Sequence, residues 1–326
     1  IVKAGHARVL GGIGRSQEAE PMLREVLASL RESRDKSSHE EAAVRTSLGS
    51  VLLEKREFAE AREHYEYAIP LIDATYGEGH YTSIPARRGL GLALQGLGQF
   101  DEAGAIFAEL CTLAAEKLGE DDPETVSARN TYAVFLFHRD RLEEALAQFT
   151  TLRATAVRVY GPSHPQTVRI ASNQALCHER LENYPEAEGI YREVLAARAI
   201  AGARVELSDL ITRFNLVVAL HRQPDDDKIR EALAVSDELL AAADTLLAAD
   251  SWRLAVFHQH RGIVLRKLGR FEDAEAELAT ARGTLEAKLG PDDGRTRSNW
   301  KEMVELYEAW GRPASALPWQ AKLALH

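Results

Sequence analysis

Phe100-Asp101-Glu102-Ala103-Gly104-Ala105-Ile106-Phe107 returns 42 residues later as Leu142-Glu143-Glu144-Ala145-Leu146-Ala147-Gln148-Phe149. The acidic-alanine phrase inside it, varied to Ala-Ser-Ala in the last copy, occurs eight times. It ends on Ala19, Ala61, Ala103, Ala145, Ala187, Ala232, Ala274 and Ala316, so successive copies stand 42 residues apart except for one step of 45. Pro224-Asp225-Asp226-Asp227 explains the longer step as about three extra polar residues in one turn. A fixed period of this size marks a repeat architecture, in which a unit cannot bury its apolar face alone and stacks on its neighbours.

Other positions keep the same phase. Three residues before the alanine stand Phe58, Phe100, Leu142, Tyr184, Ile229 and Phe271; four after it stand Tyr65, Phe107, Phe149, Tyr191 and Leu278. Twelve before it stand Ala7, Gly49, Gly91, Ala133, Ala175 and Gly262. Small residues at fixed offsets from bulky ones suit a helical hairpin, with close approach at the small positions and bulky side chains filling the gaps. Each unit reads as helix A, a tight turn (Gly14-Arg15, Gly98-Gln99, Gly269-Arg270, Gly311-Arg312), helix B and a capped loop. In the third unit this predicts helices over 82–97 and 100–118. The loops read Tyr76-Gly77-Glu78-Gly79-His80, Leu118-Gly119-Glu120-Asp121-Asp122-Pro123, Tyr160-Gly161-Pro162-Ser163-His164-Pro165 and Leu289-Gly290-Pro291-Asp292-Asp293. Their glycines are expected to end helix B in the left-handed conformation, and Asp122-Pro123 to cap the following helix.

These units resemble tetratricopeptide repeats. The 42-residue length and the Gly161-Pro162-Ser163-His164-Pro165-Gln166-Thr167 linker resemble the longer repeats of kinesin light chain and its bacterial relatives. Gly119 to Thr125 fits that linker with Asp122 in place of histidine; Gly77 to Ser83 and Gly290 to Thr296 fit in part. The stretch around 203–248 departs most, lacking the linker and carrying Ser236 where an aromatic is expected. The resemblance implies an all-α fold: a right-handed superhelix, or α-solenoid, of about eight hairpins forming a single domain. The units run roughly 1–35, 36–77, 78–119, 120–161, 162–203, 204–248, 249–290 and 291–326. Leu306 to Pro313, followed by Trp319 to Leu323, also resembles the carboxyl end of certain bacterial Ser/Thr protein kinases. Ile1 falls inside a helical pattern without a preceding methionine, so the chain is expected to be part of something longer.

Composition agrees with such a fold. Of 326 residues, 45% are apolar and 28% charged, enough to build a core and too ordered a mixture for a disordered chain. Only 11 prolines and 22 glycines punctuate it, too few for an all-β sandwich or barrel of this size. No apolar run is long enough to span a membrane. Two cysteines cannot form a disulfide framework, which points to a cytoplasmic setting. A net charge of −10 argues against nucleic-acid partners.

No catalytic constellation emerges. His138-Arg139-Asp140 has the form of a kinase catalytic triplet, but Ala145 stands where that loop needs asparagine. The eleven histidines show no metal-ligand spacing, and His80 and His164 stand in loops where a ring nitrogen can cap backbone groups. Cys111 and Cys177 read as small buried hydrophobes, and Cys177 cannot pair with the adjacent His178 on a helix. Neither a cofactor nor a metal is expected.

Surface remains. In the resembling families the helices A line the concave face, and asparagines of that row hold the backbone of an extended peptide. Arg88, Asn130, Thr131, Asn173, Asn215 and His260 fall on that row by phase, after correction for the insertion. Arg180, Arg222, Arg266 and Lys267 follow further along the same face, a basic set in an acidic protein that suggests an acidic or phosphorylated ligand. Basic residues near a helix C-terminus also gain from the helix dipole without any ligand. The expected function is a non-catalytic scaffold that binds a protein or peptide in its groove. Two alternatives are the regulatory or docking array of a kinase whose catalytic domain lies upstream, and a groove for a small signal molecule. Lys301, Glu302, Glu305 and Glu308, with Trp300, Trp310 and Trp319, mark the last unit as a cap.

Overall fold

The computed structural model describes residues 15–32 and 38–325, and among these it holds fifteen α-helices, one 3-10 turn and no strand. The helices are α1 (Ser16–Glu32), α2 (Ser38–Glu54), α3 (Phe58–Tyr76), α4 (Ile84–Gly96), α5 (Phe100–Leu118), α6 (Pro123–His138), α7 (Leu142–Tyr160), α8 (Pro165–Arg180), α9 (Tyr184–Ile200), α10 (Leu207–Arg222), α11 (Asp226–Leu246), α12 (Trp252–Lys267), α13 (Phe271–Leu289), α14 (Gly294–Ala309) and α15 (Pro313–Leu325). The 3-10 turn, Tyr81–Ser83, leads directly into α4, so the helix expected over 82–97 is ordered as a tighter first turn and a shorter α-helix. Helix B of that unit spans Phe100–Leu118 as expected. Ala7, Gly14 and the first helix of the first hairpin lie outside the described residues.

The chain divides into two compact units, Ile1–Val159 and Tyr160–His326. In the first, α2 packs on α3 and α4 on α5, and α4 also touches α2. In the second, α8–α9, α10–α11, α12–α13 and α14–α15 pair as hairpins, and α12 lies against both α10 and α14. First helices of successive hairpins are therefore neighbours, which gives each unit a face made of them.

The packing follows the size alternation. All eight repeat alanines are fully buried, as are Phe107, Phe149, Tyr191 and Leu278, with Tyr65 only 1% exposed. A Cβ built on Gly91 would stand 2.5 Å from Phe107 Cε1, one on Gly49 2.7 Å from Tyr65 Cζ, and one on Gly262 2.9 Å from Leu278 Cγ. Glycine at these places lets the bulky side chain lie on the helix backbone, and each such side chain then removes most of its area from water, worth about 2–3 kcal/mol.

The two kinds of turn differ, and the left-handed residue expected at the loop glycines is not there. The loop glycines Gly77, Gly119 and Gly290 have φ of 97°, 91° and 80° with ψ of 151°, 163° and 176°. That is the extended mirror region open essentially to glycine alone, not the left-handed helical conformation. The left-handed position is instead in the tight turn. Gly98 has φ 78°, its N–H bonds Gln95 O at 3.1 Å and Gln99 N–H bonds Leu94 O at 2.9 Å, the paired bonds of a Schellman motif. Gly269 and Gly311 repeat it, and Arg56, Asp140 and Glu182 occupy it at φ 63°, 61° and 59° despite their Cβ atoms. The His138-Arg139-Asp140 triplet is thus the end of α6 and this turn.

Helix starts follow the loop residues. Asp122 Oδ1 accepts from Glu124 N–H at 2.8 Å, and His80 and His164 do the same through Nδ1 to Thr82 and Gln166. Each histidine also stacks on the tyrosine closing the preceding helix, at 5.1 Å for Tyr76–His80 and 4.8 Å for Tyr160–His164. At the end of the second unit, Trp300 is buried and its Nε1–H donates to Glu286 Oε1 at 2.7 Å, while Trp310 stacks on Phe271. Trp319 packs with them on the core of α12–α15.

The strained tight turns supply a stability test. Replacing Asp140 or Glu182 by glycine relieves the left-handed Cβ clash of about 1–2 kcal/mol against a smaller entropic cost. Each should therefore raise unfolding free energy by about 0.5–1 kcal/mol in urea melts. Gly91→Val, which drives a side chain into Phe107, should lower it by about 1–3 kcal/mol.

Candidate functional site

The face formed by α10, α12 and α14 carries an open pocket of about 460 Å³. His221 and Arg222 come from the end of α10; Gln259, His260, Ile263, Arg266 and Lys267 from α12; Ser298, Lys301, Glu302 and Glu305 from α14. They converge because these side chains recur along one stripe of each helix at three- and four-residue steps, and the three helices lie side by side.

The floor is polar and incompletely satisfied. Gln259 is 4% exposed; its Nε2–H donates to Ser298 Oγ at 3.2 Å, and its Oε1 is buried without a partner among the described residues. His221 is 2% exposed, its Nε2 lies 3.4 Å from His260 Nδ1, and its own Nδ1 finds no hydrogen-bond partner in another described residue. Phe214 meets the His260 ring edge-on at 4.7 Å. Burial and the charges of His260, Lys267 and Arg222 push the His221 imidazole down to about 3; burial and Arg222 push His260 down to about 4. Both rings are neutral at pH 7.

The cations on the rim divide into two kinds. Arg266 Nη2 bonds both Glu302 Oε2 at 2.9 Å and Glu305 Oε2 at 2.8 Å, so its charge is taken up by the next hairpin. Lys267 donates to the neutral His221 carbonyl. Burial and the nearby Arg222 and Arg266 hold its ammonium below the usual lysine range. Arg222 is exposed and makes no ion pair within 4 Å among the described residues; its field stabilises the charge of Glu179 on α8. Lys301 stands 3.9 Å from Glu305. Four cations face two carboxylates, so the pocket is positive within an acidic protein.

The residues expected from sequence fall in three groups. His260, Arg222, Arg266 and Lys267 do share this pocket. Asn173, Arg180 and Asn215 lie in the same unit on α8 and α10 but do not line it; Asn215 hydrogen-bonds the Tyr191 hydroxyl, which in turn donates to Glu179 Oε1 at 2.7 Å. Arg88, Asn130 and Thr131 belong to the first unit. There Arg88 bridges to Glu124 and Ser127 on α6, Thr131 donates to Ser127 O of its own helix, and Asn130 keeps a buried Oδ1 without a partner among the described residues. Phase also puts Gln259 and His221 on this face, without marking either as a site residue, and it does not show the pairing of Arg266 with Glu302 and Glu305. The last had a signal: the acidic residues interrupt an otherwise neutral row one repeat after Arg266.

Two further features are structural. Burial lifts the thiols of Cys111 and Cys177 to about 11, which keeps both protonated. Among the described residues, no cluster of three His, Cys, Asp or Glu side chains is arranged to hold a metal ion, and no helix is long and apolar enough to cross a membrane.

Residues 40–116 and 124–199 match the family model described as tetratricopeptide repeat. The apo form of RapI superposes with a TM-score of 0.69 at 14% identity, covering 99% of this chain and 95% of that one. The apo quorum sensor NprR from B. thuringiensis gives 0.66 at 14% identity, covering 99% and 86%. Kinesin-light-chain TPR-like repeats from Podosopora anserina give 0.56 at 16% identity, covering 64% and 98%. At these identities the likeness is one of fold. A comparison with curated protein sequences gave no match.

Arg266 supplies the test of this arrangement. Arg266→Ala leaves Glu302 and Glu305 with only the more distant charges of Lys301 and Lys267 to offset their repulsion and should cost about 1–3 kcal/mol of stability by chemical denaturation. Adding Glu302→Gln should recover part of that loss, the coupling expected of a direct pair.

Proposed function

The chain is a tetratricopeptide-repeat array, and on that premise we propose that it is a non-catalytic binding scaffold whose ligand docks on the α10–α12–α14 face. The ligand is a protein or peptide segment carrying carboxylate or phosphate groups. One observation carries the reading: Arg222 and Lys267 stand together on the rim and neither makes an ion pair among the described residues, next to the buried acceptor of Gln259 that finds no hydrogen-bond partner there. Holding like charges together is unfavourable unless a counter-charge arrives, and an anionic side chain flanked by a backbone N–H supplies both missing partners.

The pocket's dimensions favour a second reading. About 460 Å³ lies within the range of small-molecule sites, roughly 300–1,000 Å³, and the similar fold of NprR belongs to a quorum sensor. A small anionic signal would use the same rim cations.

Titration calorimetry with acetylated, amidated hexaglutamate and its hexaglutamine counterpart separates these readings from a bare surface. Hexaglutamate should bind and hexaglutamine should not. The Arg222→Ala/Lys267→Ala variant should weaken binding at least about tenfold, and added salt should weaken it too. Equal binding of the two peptides would overturn the proposal.

A further inference from the structure

Two imidazoles in a positively charged pocket have a consequence for how an anion binds. His221 and His260 share one contact of 3.4 Å between ring nitrogens. In either tautomer one ring keeps a bare nitrogen that can take a proton while the shared contact stays intact, and His221 Nδ1 is already buried without a partner. Each ring is kept neutral by its surroundings rather than by a counter-charge. The charged groups lining the pocket around them are Arg222 from α10, Arg266 and Lys267 from α12, and Lys301, Glu302 and Glu305 from α14. Glu179 from α8 acts on Arg222 behind them. The two carboxylates of α14 are engaged by Arg266. The rings therefore meet the positive field of Arg222 and Lys267, which Glu179, Glu302 and Glu305 offset in part, and that is what an anionic ligand would cancel.

We propose that the α10–α12–α14 pocket takes up a proton from solvent together with its anionic ligand, and that the His221–His260 pair holds it. This rests on the proposed anion binding at the same pocket. An anion between Arg222 and Lys267 replaces repulsion of an imidazolium by attraction, so the pair's affinity for a proton rises in the complex. The sign follows from linkage. A group whose pKa is higher in the complex than in the free protein favours binding most below its free value, and that gain is lost as pH rises through its bound value. The free rings sit near 3 and 4, so over the range in which carboxylates stay ionised binding strengthens as pH falls. The ligand is thereby held more tightly in a mildly acidic medium.

Glu302 is the other group facing the pocket that could take the proton, since burial and Glu305 hold its carboxyl above the usual range. The experiment must separate the two. Calorimetry of hexaglutamate binding to the full chain at pH 6, in two buffers of different ionisation enthalpy, reads the number of protons taken up. A positive uptake is expected, with affinity at least about threefold higher at pH 5.5 than at pH 7.5. His260→Gln, which removes one ring and the shared contact, should reduce the uptake and flatten the pH profile, whereas Glu302→Gln should leave the uptake in place. Should His260→Gln fail to fold, His221→Asn gives the same reading, and in the wild-type chain carbon-13 histidine spectra should show two rings titrating higher once sodium sulfate, doubly charged throughout this range, is added. Binding without proton uptake overturns this inference and leaves the scaffold reading standing. Uptake that survives His260→Gln and vanishes in Glu302→Gln assigns the proton to the carboxyl and also overturns it. Absence of hexaglutamate binding removes both.

Discussion

An aromatic ring lying on bare helix backbone is the contact from which the rest of this architecture follows. Tyr65 over Gly49 and Gly89, and Phe107 over Gly91, bring helices closer than any pair of larger side chains would allow. Where the small partner is alanine, as at Ala133 and Ala175, the phase is unchanged and the rings of Phe149 and Tyr191 are still fully buried. Because most repeats supply one small and one bulky position 16 residues apart in sequence, the fit sets how first and second helices meet. The fit between repeats sets which first helices become neighbours. The face that carries the candidate site is a by-product of that packing.

Polar side chains on these faces are used mostly between neighbours. Arg88 reaches Glu124 and Ser127, Gln259 reaches Ser298, His221 meets His260, and Arg266 reaches Glu302 and Glu305, each across 36 to 39 residues. A repeat protein has neighbours only before and after along its stack, so a row of functional-looking residues is first a row of inter-repeat contacts. Arg266 shows the difference this makes: it belongs to the basic row by phase, yet its charge is committed. What distinguishes Arg222 and Lys267 is the lack of a comparable carboxylate, which depends on the facing row and not on their own positions.

Much of the fold was legible because period and residue size act together. The repeat alanines, the ring positions and the helix starts at Phe58, Phe100, Leu142, Tyr184 and Phe271 all fell where phase put them. The left-handed turn did not, because Arg56, Asp140 and Glu182 hide it behind ordinary side chains while glycines in the longer loop advertise a different conformation. In the pocket, Arg222, His260, Arg266 and Lys267 stand together on the face where phase puts them. Whether a residue's atoms are satisfied depends on what the neighbouring helix offers, so the orphaned Oε1 of Gln259 and Nδ1 of His221 left no trace in the sequence.

The most irregular repeat is the one that builds the site's edge. Between α9 and α10 the Gly-x-x-His-Pro linker is missing. In its place Arg198, 7% exposed, pairs with the equally buried Asp209, bonds Arg204 O and reaches Glu206, while Asp209 also accepts from Glu206 N–H at 2.8 Å. A buried pair of this kind fixes geometry more than it adds stability, since desolvation offsets much of its attraction. After α10 the three extra residues lengthen the turn, and Asp225 caps α11 through Asp227 N–H at 2.8 Å. Ser236 then takes the bulky position of that repeat and Val217 the small one, both buried. Departures at both ends of α10 leave its last residues, His221 and Arg222, in a setting that a strictly periodic unit would not reproduce. A regular Gly-turn unit would end helix A in the Schellman geometry seen at Gly98; here Gln223 continues extended, with φ −75° and ψ 141°, directly beyond the pair. The repeat supplies the face, and the break in the repeat supplies its one chemically distinctive corner.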